Sequence, residues 1–207
     1  MLKIDLYSDI VCPWCIIGQH RLDKVLAERF PDLEVDIEHH PYELQPSAPP
    51  EGLELTAYFR SKGIDISDAS VAFARPEAEA RASGLTLTLA KQTHVYRTIS
   101  AHTLLRAARA RGTQHALAGA LMDAYFHEQR NVSDPDVLVA IARPFGFTKS
   151  EARQFIESPQ EQAITEAQVA RAHAMGIKSV PTFQIGSLPS VGGQSEDAFA
   201  AMIARAL

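Results

Sequence analysis

The sequence predicts an α/β fold in which the two chain ends build one small mixed sheet and a helical insertion interrupts it. Three observations carry this. Period-two alternation occurs near the N-terminus and again after Gly176, a proline-rich break follows the first alternating stretch, and helix start and stop signals fill the middle. The length, 207 residues, suits one well-buried domain or one domain carrying another inside it.

Lys3 to Tyr7 reads as the first strand, and a helix follows from about Pro13 to Arg29. "LEVDIEHH" sets Leu33, Val35, Ile37 and His39 against Glu34, Asp36, Glu38 and His40, the pattern of a strand with one buried face. Strand, helix and strand in this order predict a parallel pair, because a right-twisted strand packs its crossover helix back in only one hand. "PYELQPSAPPEG" holds four prolines and a glycine and continues neither kind of element, so it reads as a linker.

Thr98 to Arg111 then carries Leu104, Leu105 and Ala108 on one side and stops at Gly112, a C′ residue. "TQHALAGALMDAYFHEQ" spaces Leu117, Leu121 and Tyr125 by four, a second helix. Ser133 or Asp134 before Pro135 opens a third. Thr148 with Glu151, and Ser158 with Glu161, form two capping-box starts. After Gly176, "SVPTFQIG", a turn at Gly186 and Ser187, "LPSV" and a last helix complete the sheet. The expected division is 1–48 and 159–207 for the outer domain and 49–158 for the inserted helical domain, with no internal repeat.

A net charge of −5 gives no basic footprint for nucleic acid, and no apolar run is long enough to span a bilayer. The opening "MLKIDLYSD" has neither the apolar core nor the cleavage site of a secretory signal, so a cytoplasmic location is expected. Thiols stay free in that compartment, where a cysteine pair is catalytic, redox-sensing or metal-binding more often than a brace.

The only two cysteines stand together in "SDIVCPWCIIG". With Pro13 at the first helical position, Cys12 is the N-cap and Cys15 lies in the first turn. The unpaired amides and the positive end of the helix dipole then favour negative charge on Cys12, and the thiolate is the attacking form. Cys15 is close enough to resolve a mixed disulfide on Cys12. A zinc site would need two histidines as well, and the adjacent His39 and His40 cannot point the same way on a strand. A disulfide closing so small a loop would restrain little of the unfolded chain.

"CPWC" after a first strand, with "SVPTF" near the other end, resembles the DsbA family of thioredoxin-fold oxidoreductases, most closely its FrnE-like branch. "SDIVCPWCIIG", "HPYELQPSAPPEG", "TISAHTLL", "AYFHEQRNVSDPDVL" and "MGIKSVPTF" are similar to stretches of that branch in the same order. The resemblance implies a thioredoxin-like fold with a helical insertion domain. It also implies a thiol-disulfide oxidoreductase with Cys12 attacking, Cys15 resolving, and Pro13 and Trp14 shaping the surround. Val180-Pro181 would be a cis-proline loop offering Val180 backbone groups to an extended substrate.

No dissociable cofactor or metal is required for such an exchange. Glutathione is a possible co-substrate, and the partner is a disulfide or dithiol in a protein or small thiol. Arg97 stands where many relatives carry asparagine, which places a small-molecule contact there in question. His102 matches the family's "AH" but also suits a packed core histidine. Glu43 is either a proton-handling group near Cys15 or a solvated loop carboxylate. Two alternatives stay open. One is a glutathione-dependent enzyme resembling hydroxychromene-carboxylate isomerase or kappa-class glutathione transferase, which usually place serine where Cys12 stands. The other is a redox-sensing interaction module.

Overall fold

A computed structural model describes the protein over residues 1–64, 66 and 69–207. Strand β1 (Leu2–Ser8) buries Leu2, Ile4, Leu6 and Ser8 and exposes or half-exposes the residues between. Helix α1 (Pro13–Arg29) follows, with proline in its first turn. Strand β2 (Val35–Pro41) pairs parallel to β1, with Leu2 opposite Val35 and Leu6 opposite His39. Two-residue strands β3 (Leu53–Glu54) and β4 (His94–Val95) pair antiparallel around helices α2 (Leu55–Ser61), α3 (Ala69–Ala72) and α4 (Ala74–Ala82).

Helices α5 (Ile99–Arg109), α6 (Gln114–Phe126), α7 (Pro135–Ala142), α8 (Lys149–Glu157) and α9 (Pro159–Ala174) come next. Strand β5 (Thr182–Ile185) then closes the sheet in the order β2-β1-β5, antiparallel to β1, and α10 (Glu196–Ala206) packs on α1. Among the described residues no helix is long and apolar enough to cross a membrane.

Local chemistry explains the helix starts. Asp134 caps α7 through the Asp136 N–H, and Thr148 with Glu151 forms the complete capping box of α8. At α9 the Ser158 hydroxyl accepts from the Glu161 N–H, but the Glu161 carboxylate is engaged by Arg106 of α5 and does not return to the cap. Gly112 takes φ +68°, as a residue ending α5 requires.

Three expectations need correction. Strand β2 is less one-sided than its alternation suggests: its buried residues, His39 and Pro41, lie on the expected face, but Asp36, Glu38 and His40 opposite are half-buried, since α5, α6 and α9 pack on the strand and Asp36 receives both Nη atoms of Arg109. The proline-rich stretch is not a solvated linker, since Tyr42, Glu43, Gln45 and Ala48 are buried. The Leu44 N–H is drawn onto Asp9 Oδ2 at 2.7 Å, and the Pro50 carbonyl accepts from Asn131 and Ser133. Finally, "LPSV" forms no strand. Only Val191 bridges Phe183, by two bonds of 2.8 and 2.9 Å; Pro189 has no N–H to donate, and the Gln184 side chain holds the loop through Leu188 and Ser190.

Two apolar clusters result. One joins the inner faces of β1 and β5 to α1 and α10, through residues such as Ile4, Leu6, Leu22, Phe183 and Phe199. The other joins Ile10 to Ile17, the cysteine turn included, to the inserted helices. The cysteine turn is therefore packed into the core of the insertion.

Candidate active site

Cys12 is the N-cap of α1 with extended backbone angles, φ −93° and ψ 115°. The N–H groups of Cys15 and Ile16 return to its carbonyl at 3.0 and 3.3 Å, closing the first turn. No acidic side chain lies in that turn and the Cys12 sulfur makes no capping bond, so nothing competes with it for the positive end of the helix. Both cysteines are free thiols. Cys12 Sγ donates to the Val180 carbonyl at 3.8 Å, and the Val180-Pro181 bond is cis. Gly18 permits this approach: a Cβ there would lie 3.2 Å from Pro181 Cγ and 3.0 Å from Phe183 Cζ.

Cys15 is wholly enclosed, at 0% exposure, and Cys12 nearly so at 4%. Burial, followed by a hydrogen bond and charge shared with Cys12, pushes the Cys15 thiol well above the usual cysteine range; a hydrogen bond from the Asp9 backbone offsets only part. Cys15 therefore keeps its proton until something takes it.

After Cys12, the Asp9 carboxylate is the next charge that bears on Cys15. Asp9 is fully buried; its Oδ2 accepts the Leu44 N–H, while Oδ1 has no hydrogen-bond partner among the described residues. His102 Nε2 lies 3.5 Å from that Oδ1 and donates to the Tyr42 carbonyl at 3.1 Å. Glu43 is not a solvated loop carboxylate. Its side chain is buried, and burial raises its carboxyl above the ordinary value although Arg97 and His102 pull the other way. Arg97 Nε stands 3.5 Å from Glu43 Oε1 and Arg97 Nη2 is 2.7 Å from Glu166, so its guanidinium is occupied by carboxylates of the chain itself.

The structure thus brings Cys12, Pro13, Cys15, Val180 and Pro181 together, with His102 beneath through Asp9. Glu43 and Arg97 join the same buried polar group from the side. Trp14 is half-buried against the inserted helices, with Arg75 of α4 5.4 Å from its ring centroid. His39 and His40 point apart, to His115 on α6 and to Asp5 on β1.

Three residues escaped the sequence reading. Asp9 was visible only as a carboxylate just after an apolar strand, Gly18 as a glycine inside a helix, and Tyr58 not at all. Burial, with smaller additions from the charges of Asp9 and Cys12, raises the Tyr58 phenol above its ordinary value, against a hydrogen bond with Gln45.

The DSBA-like thioredoxin domain matches residues 3–204. The chain belongs to this family. Among solved structures, this DSBA-like protein is similar to the probable DsbA oxidoreductase SCO1869 of Streptomyces coelicolor, at 28% identity and a TM-score of 0.87 over 100% of this chain and 90% of that one. It is 25% identical to the uncharacterized protein YwbO of Bacillus subtilis, over 96% of this chain and 94% of that protein. It shares its fold with the cytosolic disulfide reductase DsbM of Pseudomonas aeruginosa, solved with GSH, at 17% identity and a TM-score of 0.67, covering 99% and 98% of the two chains.

Proposed function

We propose that this DSBA-like protein is a thiol-disulfide oxidoreductase in which Cys12 attacks and Cys15 resolves. The observation that carries the reading is the pair of free thiols at the start of α1, with Cys12 Sγ against the Val180 carbonyl. The Cys12 thiolate attacks one sulfur of a substrate disulfide, forming a mixed disulfide and releasing the other sulfur as a thiolate that takes a proton from water. Cys15 then gives its proton to the Asp9 carboxylate and attacks the Cys12 sulfur. The Cys12–Cys15 bond forms, the bond to substrate breaks with its electron pair on the substrate sulfur, and the substrate has gained two electrons. Run backwards, the same steps oxidise a dithiol.

Asp9 suits the part because its Oδ1 has no other donor and His102 stands 3.5 Å away. Among the described residues the Val180 carbonyl is held by nothing stronger than the thiol contact, which leaves it for an extended substrate. The exchange calls for no dissociable cofactor. Glutathione is the small-thiol co-substrate we favour, supported by the GSH in the DsbM structure, and a reducing cytoplasm is the compartment that keeps such thiols free.

Cys12→Ser is expected to abolish reduction of insulin disulfides while leaving the thermal midpoint within a few degrees. Cys15→Ser should stop at the first step and accumulate substrate on Cys12. Turnover retained by Cys12→Ser overturns the proposal, and a parent that changes conformation on oxidation yet turns over no disulfide points to redox sensing.

A further inference from the structure

A line of polar side chains runs down α1 from the buried thiol to solvent. Cys15, Gln19 and Asp23 are each four residues apart, so they lie along one side of the helix, roughly 12 Å from first to last. Their exposure opens along the way: Cys15 is sealed, Gln19 is buried, and the Asp23 side chain is 44% exposed. Helix α6 lies along this side, with Gly119 close to Gln19 Nε2 and His115 Nε2 2.7 Å from Asp23 Oδ1. Strand β2 adds His39, whose Nε2 is 2.8 Å from His115 Nδ1 and whose backbone N–H and carbonyl are both held by the Gln114 amide at 3.0 Å.

The carboxylate fixes the direction of this chain. Asp23 can only accept, so His115 Nε2 carries the hydrogen; in the neutral ring His115 Nδ1 is the acceptor and His39 Nε2 its donor. His39 Nδ1 is left as a bare lone pair, fully buried, with no partner. Ser8 Oγ, two residues beyond the Leu6 that faces His39 in the sheet, Asp9 Oδ1 and Gln19 Oε1 are likewise buried without partners among the described residues. Burial, then the charges of His115, His102, His40 and Arg109, hold His39 well below the ordinary histidine range and keep it neutral.

We propose that His39, His115 and Asp23 carry the Cys15 proton to solvent. The inference rests on the thiol-exchange reading. The proton leaves Cys15 Sγ for Asp9 and passes on to His39 Nδ1, and each imidazole releases the proton on its other nitrogen, ending at Asp23 and bulk water. One proton leaves per resolution and no electrons travel this route. Each passage reverses the tautomer of both rings; when the Cys12–Cys15 disulfide is reduced again, the proton returning to Cys15 resets them. These residues touch neither sulfur and act only through Asp9.

Ellman's reagent separates the steps, because attack by Cys12 releases one thionitrobenzoate and resolution by Cys15 releases a second. In His115→Gln the second phase should slow at least about tenfold, a little short of direct acid-base catalysis, with the first phase unchanged and the loss recovered by added imidazole. Asp23→Asn, at an exposed site, should show a smaller loss in the same phase and decides the matter if His115→Gln fails to fold. An unchanged second phase in the folded variants, or a slowing that imidazole does not recover, overturns the relay. A parent that never releases the second equivalent overturns the resolving role of Cys15 itself.

Discussion

The two ends of the β1–β2 pair are buried alike and furnished differently. Toward the start of the strands, Leu2, Ile4 and Leu6 meet Phe183, Ile185 and Phe199 in an apolar core, with the Phe183 and Phe199 rings edge to face at 4.8 Å. At and beyond the far end of the same pair stand Ser8 on β1, Asp9 just after it and His39 on β2, each with a buried polar atom that no group among the described residues satisfies. The change falls at one rung of the sheet, where Leu6 stands opposite His39. Each unsatisfied buried group costs on the order of 1–3 kcal/mol, so the polar end lowers stability and the apolar end must supply it. Such a division is expected where a fold keeps a reactive group ready.

The strongest way to break this comparison is Phe199→Ala. Deleting a ring at 0% exposure should lower unfolding free energy by about 3–5 kcal/mol in denaturant titrations. The Cys12 step should keep its rate in the folded fraction, because the ring lies in the other cluster. A cost below about 1 kcal/mol would mean that the apolar end does not hold the sheet.

Asp9→Asn tests the polar end with the opposite signature. The amide oxygen can still accept the Leu44 N–H, so the fold should survive, but the proton acceptor beside Cys15 is gone. Resolution should fall by about 100-fold, the lower end of what a positioned base contributes, while alkylation of Cys12 keeps its rate. Equal slowing of both steps would show that Asp9 merely shapes the cysteine turn.

The sequence made the apolar end legible and the polar end only in part. Alternation marked β2 and β5, caps marked α7 to α9, and the pair of cysteines with Pro13 marked the start of α1. Those signals are local, set by periodicity and by the first turn of each helix. Asp9 escaped because a carboxylate after a strand is ordinarily solvated; here the proline-rich segment folds back and buries it under Leu44 and Tyr42. Glu43 was ambiguous for the same reason. The line Cys15, Gln19, Asp23 is visible as a four-residue spacing, but its meaning depends on His39 and His115, which only the packing of β2 and α6 brings there.

Asp36→Asn should have the smallest effect and sharpens the comparison by its contrast with Asp9. Asp36 also belongs to β2, but its carboxylate is satisfied: Arg109 Nη1 and Nη2 donate at 2.6 and 2.7 Å. Hydrogen bonding by Arg109 lowers the Asp36 carboxyl below its ordinary value of 3.8; burial opposes it in part, and the charges of Arg109 and Lys3 add to the lowering. A carboxyl lowered on folding adds stability that is full above the unfolded value and is lost as pH falls through the folded value. The side chains are 25% and 36% exposed, so solvent screens the pair and its worth at neutral pH should be under about 1 kcal/mol. Glu38, 3.7 Å from Arg109, can take over part of it. Chemical denaturation across pH should therefore show a small deficit for Asp36→Asn at pH 7 that narrows below about pH 4 and closes in stronger acid. A deficit that persists unchanged at the acid end would mean that shape rather than charge holds this pair. A deficit as large as that of Phe199→Ala would erase the distinction between a polar group that is partnered and an apolar core that bears the load.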